Sequence, residues 1–161
     1  MKKKIIILGS TGSIGTSTLD VIRKDKKNFN VILLSANNNY RKLIKQAKEF
    51  NVKNVLINNK KFYEIVRNSL KKNKVRVFAG DISINKIVRV KIDYSMSCIV
   101  GLAGLQPTID VIKISKIVAL ANKETIICSW HILSKLIKKY KTKILPVDSE
   151  HFSIMELTKN I

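Results

Sequence analysis

Residues 2–24 read KKKIIILGSTGSIGTSTLDVIRK, which is a short apolar run, a glycine-rich turn and an amphipathic stretch in that order. The apolar run at 5–8 predicts a buried strand, and the periodic apolar residues of 14–24 predict a helix. Three glycines, at 9, 12 and 15, lie at the junction. Because glycine has no Cβ, the backbone there can approach a pyrophosphate, and the helix N-terminus adds N–H donors and partial positive charge. The segment therefore predicts a dinucleotide site that begins at residue 9.

The glycine turn lacks the ending that a triphosphate-binding loop requires. It contains no Gly-Lys-Ser or Gly-Lys-Thr triplet, which argues against a nucleoside triphosphate held with magnesium. A tight turn that binds nothing stays open as the alternative. We favour the dinucleotide interpretation because a strand and a helix flank the turn in the expected order.

Short apolar runs alternate with longer periodic segments along the rest of the chain. The predicted strands are 5–8, 31–36, 52–57, 75–78, 94–100, 117–120 and 144–147. The predicted helices are 14–24, 40–50, 60–72, 81–90, 105–114, 124–140 and a last one from 149 to 160. Segment 81–90 also fits a strand. In the first helix, Leu19, Val21 and Ile22 are expected to face inward. This order predicts an α/β fold, a doubly wound, mostly parallel, Rossmann-like sheet.

The composition is strongly basic. The chain has 161 residues, of which 31 are basic and 11 acidic, and its formal net charge is +20. Lysine accounts for 26 of the basic residues and arginine for 5, and they are spread from Lys2 to Lys159. Because a protein that reads a nucleic-acid groove favours arginine in a concentrated patch, we interpret the charge as solvated surface. Non-specific affinity for polyanions is the first alternative, and specific nucleic-acid binding is a remote one.

The sequence shows no sign of a membrane segment. No apolar run approaches the ~20 residues of a membrane helix, and residues 1–15 lack the long apolar core of a signal peptide. Cys98 and Cys128 lie far apart inside apolar patterns, which predicts buried free thiols in a reducing compartment. We therefore expect a cytoplasmic protein without a membrane partner.

Asn37, Asn38 and Asn39 follow the second predicted strand. NAD-binding folds usually place a carboxylate at this point, which holds the ribose 2′-hydroxyl. The chain has no carboxylate there to repel a 2′-phosphate, and Arg41 and Lys42 follow closely. The turn therefore favours NADPH over NADH, unless the three asparagines form only a polar turn.

A polar cluster, Ala121-Asn122-Lys123-Glu124, follows the predicted strand 117–120. In an open parallel sheet, ligands bind outside the carboxyl ends of the strands, so this cluster should share an edge with the glycine turn. Lys123 can hold an anionic oxygen as a compact charge, and Asn122 can bridge cofactor and substrate groups. Equally, Lys123 and Glu124 can be ordinary first-turn helix residues.

A second cluster, Asp148-Ser149-Glu150-His151, follows the predicted strand 144–147 at the same edge. The Asp148 and Glu150 carboxylates are one residue apart and suit Mg²⁺ or Mn²⁺, which prefer hard oxygen ligands. The alternative is that Asp148 and Ser149 cap the last helix while Glu150 stabilises its dipole.

Four stretches of the chain together resemble one enzyme family. They are GSTGSIGTSTLDVIR at 9–23, IVGLAGLQPT at 99–108, LANKET at 120–125 and LPVDSEH at 145–151. On these motifs the chain resembles the 1-deoxy-D-xylulose 5-phosphate reductoisomerases of the non-mevalonate isoprenoid route. The resemblance runs in order over essentially the whole chain, and its last two motifs are much rarer than a glycine turn.

The resemblance implies an enzyme that rearranges 1-deoxy-D-xylulose 5-phosphate and reduces the product with NADPH to 2-C-methyl-D-erythritol 4-phosphate. It implies Mg²⁺ or Mn²⁺, with Co²⁺ as a third candidate, as the Lewis acid on the substrate oxygens. It also implies a small phosphorylated sugar as the substrate and a homodimer for the full-length relatives. From the composition we expect no specific nucleic-acid partner.

The resemblance also assigns residues. Those implied to contact NADPH are Thr11, Gly12, Ser13, Ile14, Asn37, Asn38, Asn39, Asn122 and Glu124. Lys123, Ser149 and Glu150 are implied to bind substrate, with Lys123 and Glu150 catalytic, and Asp148 and Glu150 are the implied metal ligands. His151 belongs to the motif without an assigned chemistry, and His131 is expected to be structural.

Two departures from the family pattern modify this expectation. Many relatives have a basic triplet where this chain has Asn37-Asn38-Asn39, so the 2′-phosphate grip should be weaker unless Arg41 or Lys42 compensates. Family members also continue beyond residue 161, which suggests a fragment made of an NADPH-binding domain, 1–147, and the start of a catalytic domain, 148–161. We expect the isolated chain to bind NADPH without turnover, and a catalytically incomplete dinucleotide-binding fragment is the alternative function.

Overall fold

The structure, a computed structural model, describes residues 1–147 and 149–158, and the side chains of 149–151 and 154 lie outside the description. The strands are β1 Lys3–Leu8, β2 Phe29–Ala36, β3 Asn54–Ile57, β4 Arg76–Ala79, β5 Ile92–Ser97, β6 Ser115–Leu120 and β7 Lys143–Pro146. The helices are α1 Ser13–Lys24, α2 Tyr40–Glu49, α3 Tyr63–Leu70, α4 Ile84–Ile87, α5 Leu105–Ile114, α6 Lys123–Tyr140 and α7 Ser149–Leu157. Short 3₁₀ turns occupy 60–62, 71–73 and 102–104.

The strands form one sheet in the order β4-β3-β2-β1-β5-β6-β7, and every neighbouring pair is parallel. The chain builds β2 to β4 on one side of β1 and then crosses to build β5 to β7 on the other side. The predicted doubly wound parallel sheet is therefore confirmed. This arrangement puts the carboxyl ends of all seven strands at one edge and their amino ends at the opposite edge.

The two faces of the sheet carry separate apolar cores. Ile5 and Ile7 of β1 pack into one cluster, and Ile6 and Leu8 pack into the other. All four side chains are at most 4% exposed. Because helices cover both faces, the central strand is an uninterrupted apolar run rather than an alternating one.

The helix predicted over 81–90 is wrong for most of its length. Only Ile84–Ile87 is helical, and Val88 has already returned to an extended backbone. Asp81 does not cap the helix; instead the Asp110 carboxylate of α5 accepts the Ile84 N–H at 2.8 Å. Ile84 and Ile87 are buried, so tertiary packing fixes this segment more than its local pattern does.

Three other predictions need correction. Leu19 and Ile22 of α1 are buried as expected, but Val21 is 64% exposed, because it lies about 200° around the helix from Leu19. Helix 60–72 is a 3₁₀ turn, then α3, then a second 3₁₀ turn. Both cysteines are free, but Cys98 is only partly buried and Cys128 is exposed on α6.

His131 is also exposed on α6, so the expected structural role is not one of burial in the core. Within residues 1–147 and 149–158, no helix combines the length and apolar character needed to cross a bilayer.

Candidate dinucleotide-binding site

The candidate site lies where the strand order reverses, between β1 and β5. The loops that follow these two strands leave the carboxyl edge side by side, and the Cys98 N–H donates to the Leu8 carbonyl oxygen at 3.0 Å. Open α/β sheets bind their ligands at such a switch point, in the crevice outside the strand ends.

The glycine turn of residues 9–12 and the start of α1 are packed tightly. Gly9 has φ +77°, and a Cβ added to it would lie 2.9 Å from the Cys98 carbonyl oxygen. A Cβ on Gly15 would overlap the backbone of Gly9 and Ser10. Gly12 differs, since an added Cβ would meet only the Gly9 carbonyl oxygen at an ordinary 3.5 Å. The fold itself therefore requires glycine at 9 and 15 but tolerates a side chain at 12.

Buried hydrogen bonds hold the glycine turn in place. The Ser35 hydroxyl accepts the Gly9 N–H at 3.0 Å, and the Ser35 carbonyl accepts the Ser10 N–H at 2.8 Å. The Gln46 amide donates to the Ser10 carbonyl at 2.9 Å and accepts the Ser10 hydroxyl at 2.8 Å. All three side chains are less than 10% exposed. The turn is thus preorganised by β2 and α2.

Sequence reasoning missed these supporting residues, although a signal was present. Ser35 interrupts the apolar run 31–36, and Gln46 lies on the buried face of α2 with Leu43 and Ala47. A polar residue at a core position needs a partner, which here is the glycine turn.

The N-terminus of α1 is open to ligands. Gly12 is its N-cap and supplies no side-chain hydrogen bond, and the first turn holds no acidic residue. Ser13 is exposed, and Ile14 is 41% exposed. The first-turn N–H groups and the positive end of the helix dipole therefore face the carboxyl edge without a side-chain acceptor.

Lys42 lies beside this turn. Its Nζ atom donates to the Thr11 carbonyl oxygen at 3.1 Å, and its side chain is partly buried. Arg41 is oriented differently: its Nε donates to the Tyr40 hydroxyl at 3.2 Å, and its guanidinium lies 5.7 Å from the centre of the Tyr40 ring. Of these two cations, Lys42 is the one that reaches the glycine turn.

The three asparagines after β2 are exposed but not equivalent. Asn39 caps α2, because its Oδ1 accepts the Lys42 N–H at 3.1 Å. Asn38 Oδ1 accepts the Asn59 side-chain amide at 2.9 Å. The Asn37 side chain has no hydrogen bond within the described residues. The polar-turn interpretation therefore fits Asn38 and Asn39, and Asn37 keeps its side chain available.

Asn122 also has a role within the protein, and its predicted contact with ligands stays a prediction. It is 2% exposed, and its amide donates to the carbonyl oxygens of Ile99 at 2.5 Å and Gly101 at 2.7 Å. Its Oδ1 accepts the Thr125 N–H at 3.0 Å and so caps α6. Because both N–H donors are used inside the protein, Asn122 ties the loop after β5 to the start of α6.

Lys123 and Glu124 occupy the exposed first turn of α6, at the carboxyl end of β6. No hydrogen bond or ion pair engages either side chain among the residues described. Their position fits both interpretations, a ligand contact at this edge and an ordinary first turn in which Glu124 stabilises the helix dipole.

The second predicted cluster falls largely outside the described residues. Asp148 lies outside them, and so do the side chains of Ser149, Glu150 and His151. The backbone places the start of α7 at Ser149, directly after β7, and the Val147 N–H donates to the Leu120 carbonyl at 3.1 Å. Within the described part of the chain, no group of three potential metal ligands is found.

Cys98 follows β5 directly; its backbone lies next to Gly9, and its side chain packs against one of the two apolar cores. Burial raises the pKa of its thiol to about 12. The thiol is therefore neutral at physiological pH and acts as a packing group rather than as a nucleophile.

Comparison with known proteins agrees with this geometry. The family model for 1-deoxy-D-xylulose 5-phosphate reductoisomerase matches residues 5–129. The chain belongs to this family. A reductoisomerase from Pelagibacter ubique is 55% identical over 160 residues, and one from a Thermoanaerobacter species is 44% identical over 154. These matches span 98% and 96% of the chain but only 41% and 40% of the relatives.

Solved reductoisomerase structures share the fold. The Zymomonas mobilis enzyme in complex with NADPH superimposes with a TM-score of 0.88 at 36% identity, and the match covers 93% of this chain and 40% of that one. A reductoisomerase in complex with NADPH, fosmidomycin and magnesium gives a TM-score of 0.85 at 31% identity, covering 92% of this chain and 37% of that one. The chain thus corresponds to roughly two fifths of these reductoisomerases.

Proposed function

We propose that this chain is the NADPH-binding part of a reductoisomerase that converts 1-deoxy-D-xylulose 5-phosphate to 2-C-methyl-D-erythritol 4-phosphate with a divalent metal. One observation carries the proposal. The glycine turn at 9–12, whose backbone is fixed by close packing at Gly9 and Gly15, opens onto the β1–β5 crevice. The family membership and the NADPH complex of the Zymomonas relative support it.

The pyrophosphate would bind at Thr11, Gly12, Ser13 and Ile14. These residues form the open N-terminal turn of α1, where N–H groups lack a side-chain cap. Gly12 is not needed for packing, since an added Cβ meets nothing closer than 3.5 Å. A ligand that approaches the backbone at this point explains the glycine, which fits a dinucleotide pyrophosphate.

The 2′-phosphate of NADPH would be recognised by Asn37 and Lys42. β2 ends without a carboxylate, and the Lys42 ammonium already reaches Thr11 at 3.1 Å. Arg41 is stacked on Tyr40 and contributes less. Asn38 and Asn39 shape the turn around this subsite through their hydrogen bonds to Asn59 and to the N–H of Lys42.

The nicotinamide and substrate end would lie toward α6 and α7. Lys123 would bind the substrate and act in catalysis, and Asn122 and Glu124 would contact NADPH. Asn122 would also hold the loop after β5 in position. Ser149 and Glu150 would bind the substrate beside them.

Asp148 and Glu150 would hold Mg²⁺, Mn²⁺ or Co²⁺, and the chemistry of the donor set fits, because two carboxylate oxygens suit a hard divalent cation. Bound there, the metal would supply Lewis-acid polarisation of substrate oxygens. The solved relative that holds NADPH, fosmidomycin and magnesium supports this assignment.

The same proposal divides the chain into an NADPH-binding domain at 1–147 and the beginning of a catalytic domain at 148–161. It places the protein in the cytoplasm and gives the full-length enzyme a homodimeric state. Because the chain spans only 41% of its Pelagibacter relative, we propose NADPH binding without turnover for these 161 residues alone.

Three measurements test the proposal. Calorimetric titration of the chain should show NADPH binding more tightly than NADH, and equal affinities would refute recognition of the 2′-phosphate. NADPH oxidation with 1-deoxy-D-xylulose 5-phosphate and Mg²⁺ should be undetectable, and clear turnover would show that the chain is catalytically complete. In an active enzyme containing this chain, Asp148→Asn should weaken Mn²⁺ binding; an unchanged affinity would return Asp148 to a capping role.

A further inference from the structure

The parallel sheet gathers at one edge the lysines that are scattered along the sequence. The amino ends of all seven strands lie opposite the glycine turn, and the helices that run back over the sheet end at that same edge. The lysines at or just before strand starts are Lys2, Lys3, Lys4, Lys91, Lys116 and Lys143. Helices α1, α2, α5 and α6 each add a basic residue in the last turn. We call this the amino edge.

At the centre of the amino edge, five lysines line a cleft of about 300 Å³. They are Lys2, Lys3, Lys4, Lys91 and Lys116, and Asp93 is the acidic residue among them. The Asp93 carboxylate is already engaged, since it accepts the Lys116 ammonium at 2.7 Å and the Lys4 N–H at 2.9 Å. These contacts lower the Asp93 pKa, so its charge is fixed and used within the protein. Lys2, Lys3 and Lys91 are exposed without an ion pair in the described residues.

Fold stability explains only part of this charge. Lysines in the last turns of helices interact favourably with the helix dipole. The lysines at the strand starts have no such dipole to oppose, because strand dipoles are small. Because the lysines at neighbouring positions of β1, β5 and β6 repel one another, they do not stabilise the fold. Their presence therefore favours a role in binding.

We propose that the amino edge binds the phosphate backbone of nucleic acid without reading its sequence. Lysine ammonium groups neutralise phosphates as point charges, and the release of counterions drives such binding. Arginine is the usual residue for bidentate base recognition, and the central cleft is lined by lysines with no arginine. Binding should therefore depend strongly on salt and little on base composition.

A protein partner and a membrane surface fit the amino edge less well than nucleic acid does. A protein interface is depleted in lysine and enriched in aromatic residues at its centre, whereas lysines line this cleft. Peripheral membrane binding needs a face of exposed apolar side chains. At this cleft Met1 is exposed among five lysines, whereas Val100, Ile127 and Leu157 belong to other parts of the fold. The amino edge is also distinct from the β1–β5 crevice, so this proposal does not rest on NADPH binding.

The test compares two triple variants that lose the same charge. Lys2, Lys3 and Lys91 are replaced by Gln in the edge variant. Lys45, Lys61 and Lys135, which are exposed on α2, in the 3₁₀ turn at 60–62 and on α6, are replaced by Gln in the control variant. Binding of a fluorescein-labelled oligothymidylate strand is followed by anisotropy across a salt titration. Circular dichroism establishes that both variants fold.

We expect the edge variant to bind about tenfold more weakly at low salt and its log–log salt slope to fall by about 2, while the control variant stays close to the parent chain. An equal loss in both variants would overturn the proposal, since net charge rather than the amino edge would then explain the affinity. Binding to phosphatidylserine vesicles without binding to the DNA strand would overturn it in favour of a membrane surface.

Discussion

The Lys42 ammonium lies 3.1 Å from the Thr11 carbonyl oxygen, which connects the first turn of α2 to the glycine turn after β1. The contact joins two segments that are 31 residues apart in sequence and brings a cation to the rim of the β1–β5 crevice. Arg41, its neighbour, is held on the Tyr40 ring instead. The cation that compensates for the missing basic triplet is therefore expected to be Lys42.

Replacing Lys42 should reduce the preference for NADPH. A hydrogen bond to a charged group contributes about 1.5–3 kcal/mol, so Lys42→Gln should raise the NADPH Kd by about tenfold or more. The NADH Kd should change far less, since NADH has no 2′-phosphate. Arg41→Gln removes the same charge one residue away and is the matched control. If the Arg41 variant loses more NADPH affinity than the Lys42 variant, the assignment is wrong.

Gln46 should stabilise the glycine turn through its two hydrogen bonds to Ser10. Gln46→Leu removes both bonds to Ser10 and leaves buried polar atoms unpaired, which should lower the free energy of unfolding by about 1–3 kcal/mol. Urea unfolding measures this loss. Lys45→Leu on the exposed side of the same helix should change it by less than about 0.5 kcal/mol. Equal effects of the two changes would contradict the supporting role of Gln46.

The two cysteines should differ in reactivity. Burial raises the pKa of Cys98 to about 12, whereas Cys128 is exposed on α6. At pH 8 an alkylating reagent should modify Cys128 and leave Cys98 unmodified in the folded chain. Mass spectrometry of the modified peptides reads this out, and Cys98 labelling at the Cys128 rate would show that Cys98 is accessible.

The same pKa shift predicts a loss of stability in alkali. The raised pKa means that the folded state holds the thiol proton more tightly than the unfolded state does. The contribution is therefore complete below the ordinary cysteine pKa of 9 and is lost as the pH rises from 9 to about 12. Cys98→Ala should flatten this part of the stability curve, measured by urea unfolding, relative to the parent chain. Identical curves would contradict the shift.

Local patterns predicted the parts of the molecule whose structure is local. The strand, the glycine turn and α1 lie consecutively in sequence, so their pattern was sufficient, and the alternation of elements was sufficient for the parallel sheet. Segment 81–90 was not predictable in this way, because the start of its short helix depends on a distant residue: the Asp110 carboxylate of α5 accepts the Ile84 N–H. Val21 was wrongly expected to face inward, because the prediction used its apolar side chain and ignored its angular position around the helix.

The functional surfaces depended on contacts between distant residues. The Asn122 side chain looked available in the sequence, but it is committed to Ile99, Gly101 and Thr125. The lysines looked dispersed, yet a parallel sheet brings every strand start to one edge. Such convergence follows from topology and becomes visible only when the strand order is known.

Gly15 is needed for packing of the fold, whereas Gly12 is expected to be needed only for the approach of the ligand. A Cβ at Gly15 overlaps the backbone of Gly9 and Ser10, so Gly15→Ala should lower the free energy of unfolding by about 1–3 kcal/mol or more. Gly12→Ala adds a Cβ no closer than 3.5 Å to other atoms and should cost less than about 1 kcal/mol, mainly as a poorer N-cap. Thermal unfolding of the two variants measures this contrast, and a Gly12 variant that unfolds as early as the Gly15 variant would contradict it.

The most direct test is calorimetric titration of NADPH into the parent chain and into the folded Gly12→Ala variant. A methyl group at residue 12 stands where the pyrophosphate would approach the backbone, so we predict that the variant binds NADPH at least about tenfold more weakly. Unchanged affinity would show that the dinucleotide does not bind at the start of α1 and would contradict the proposed site.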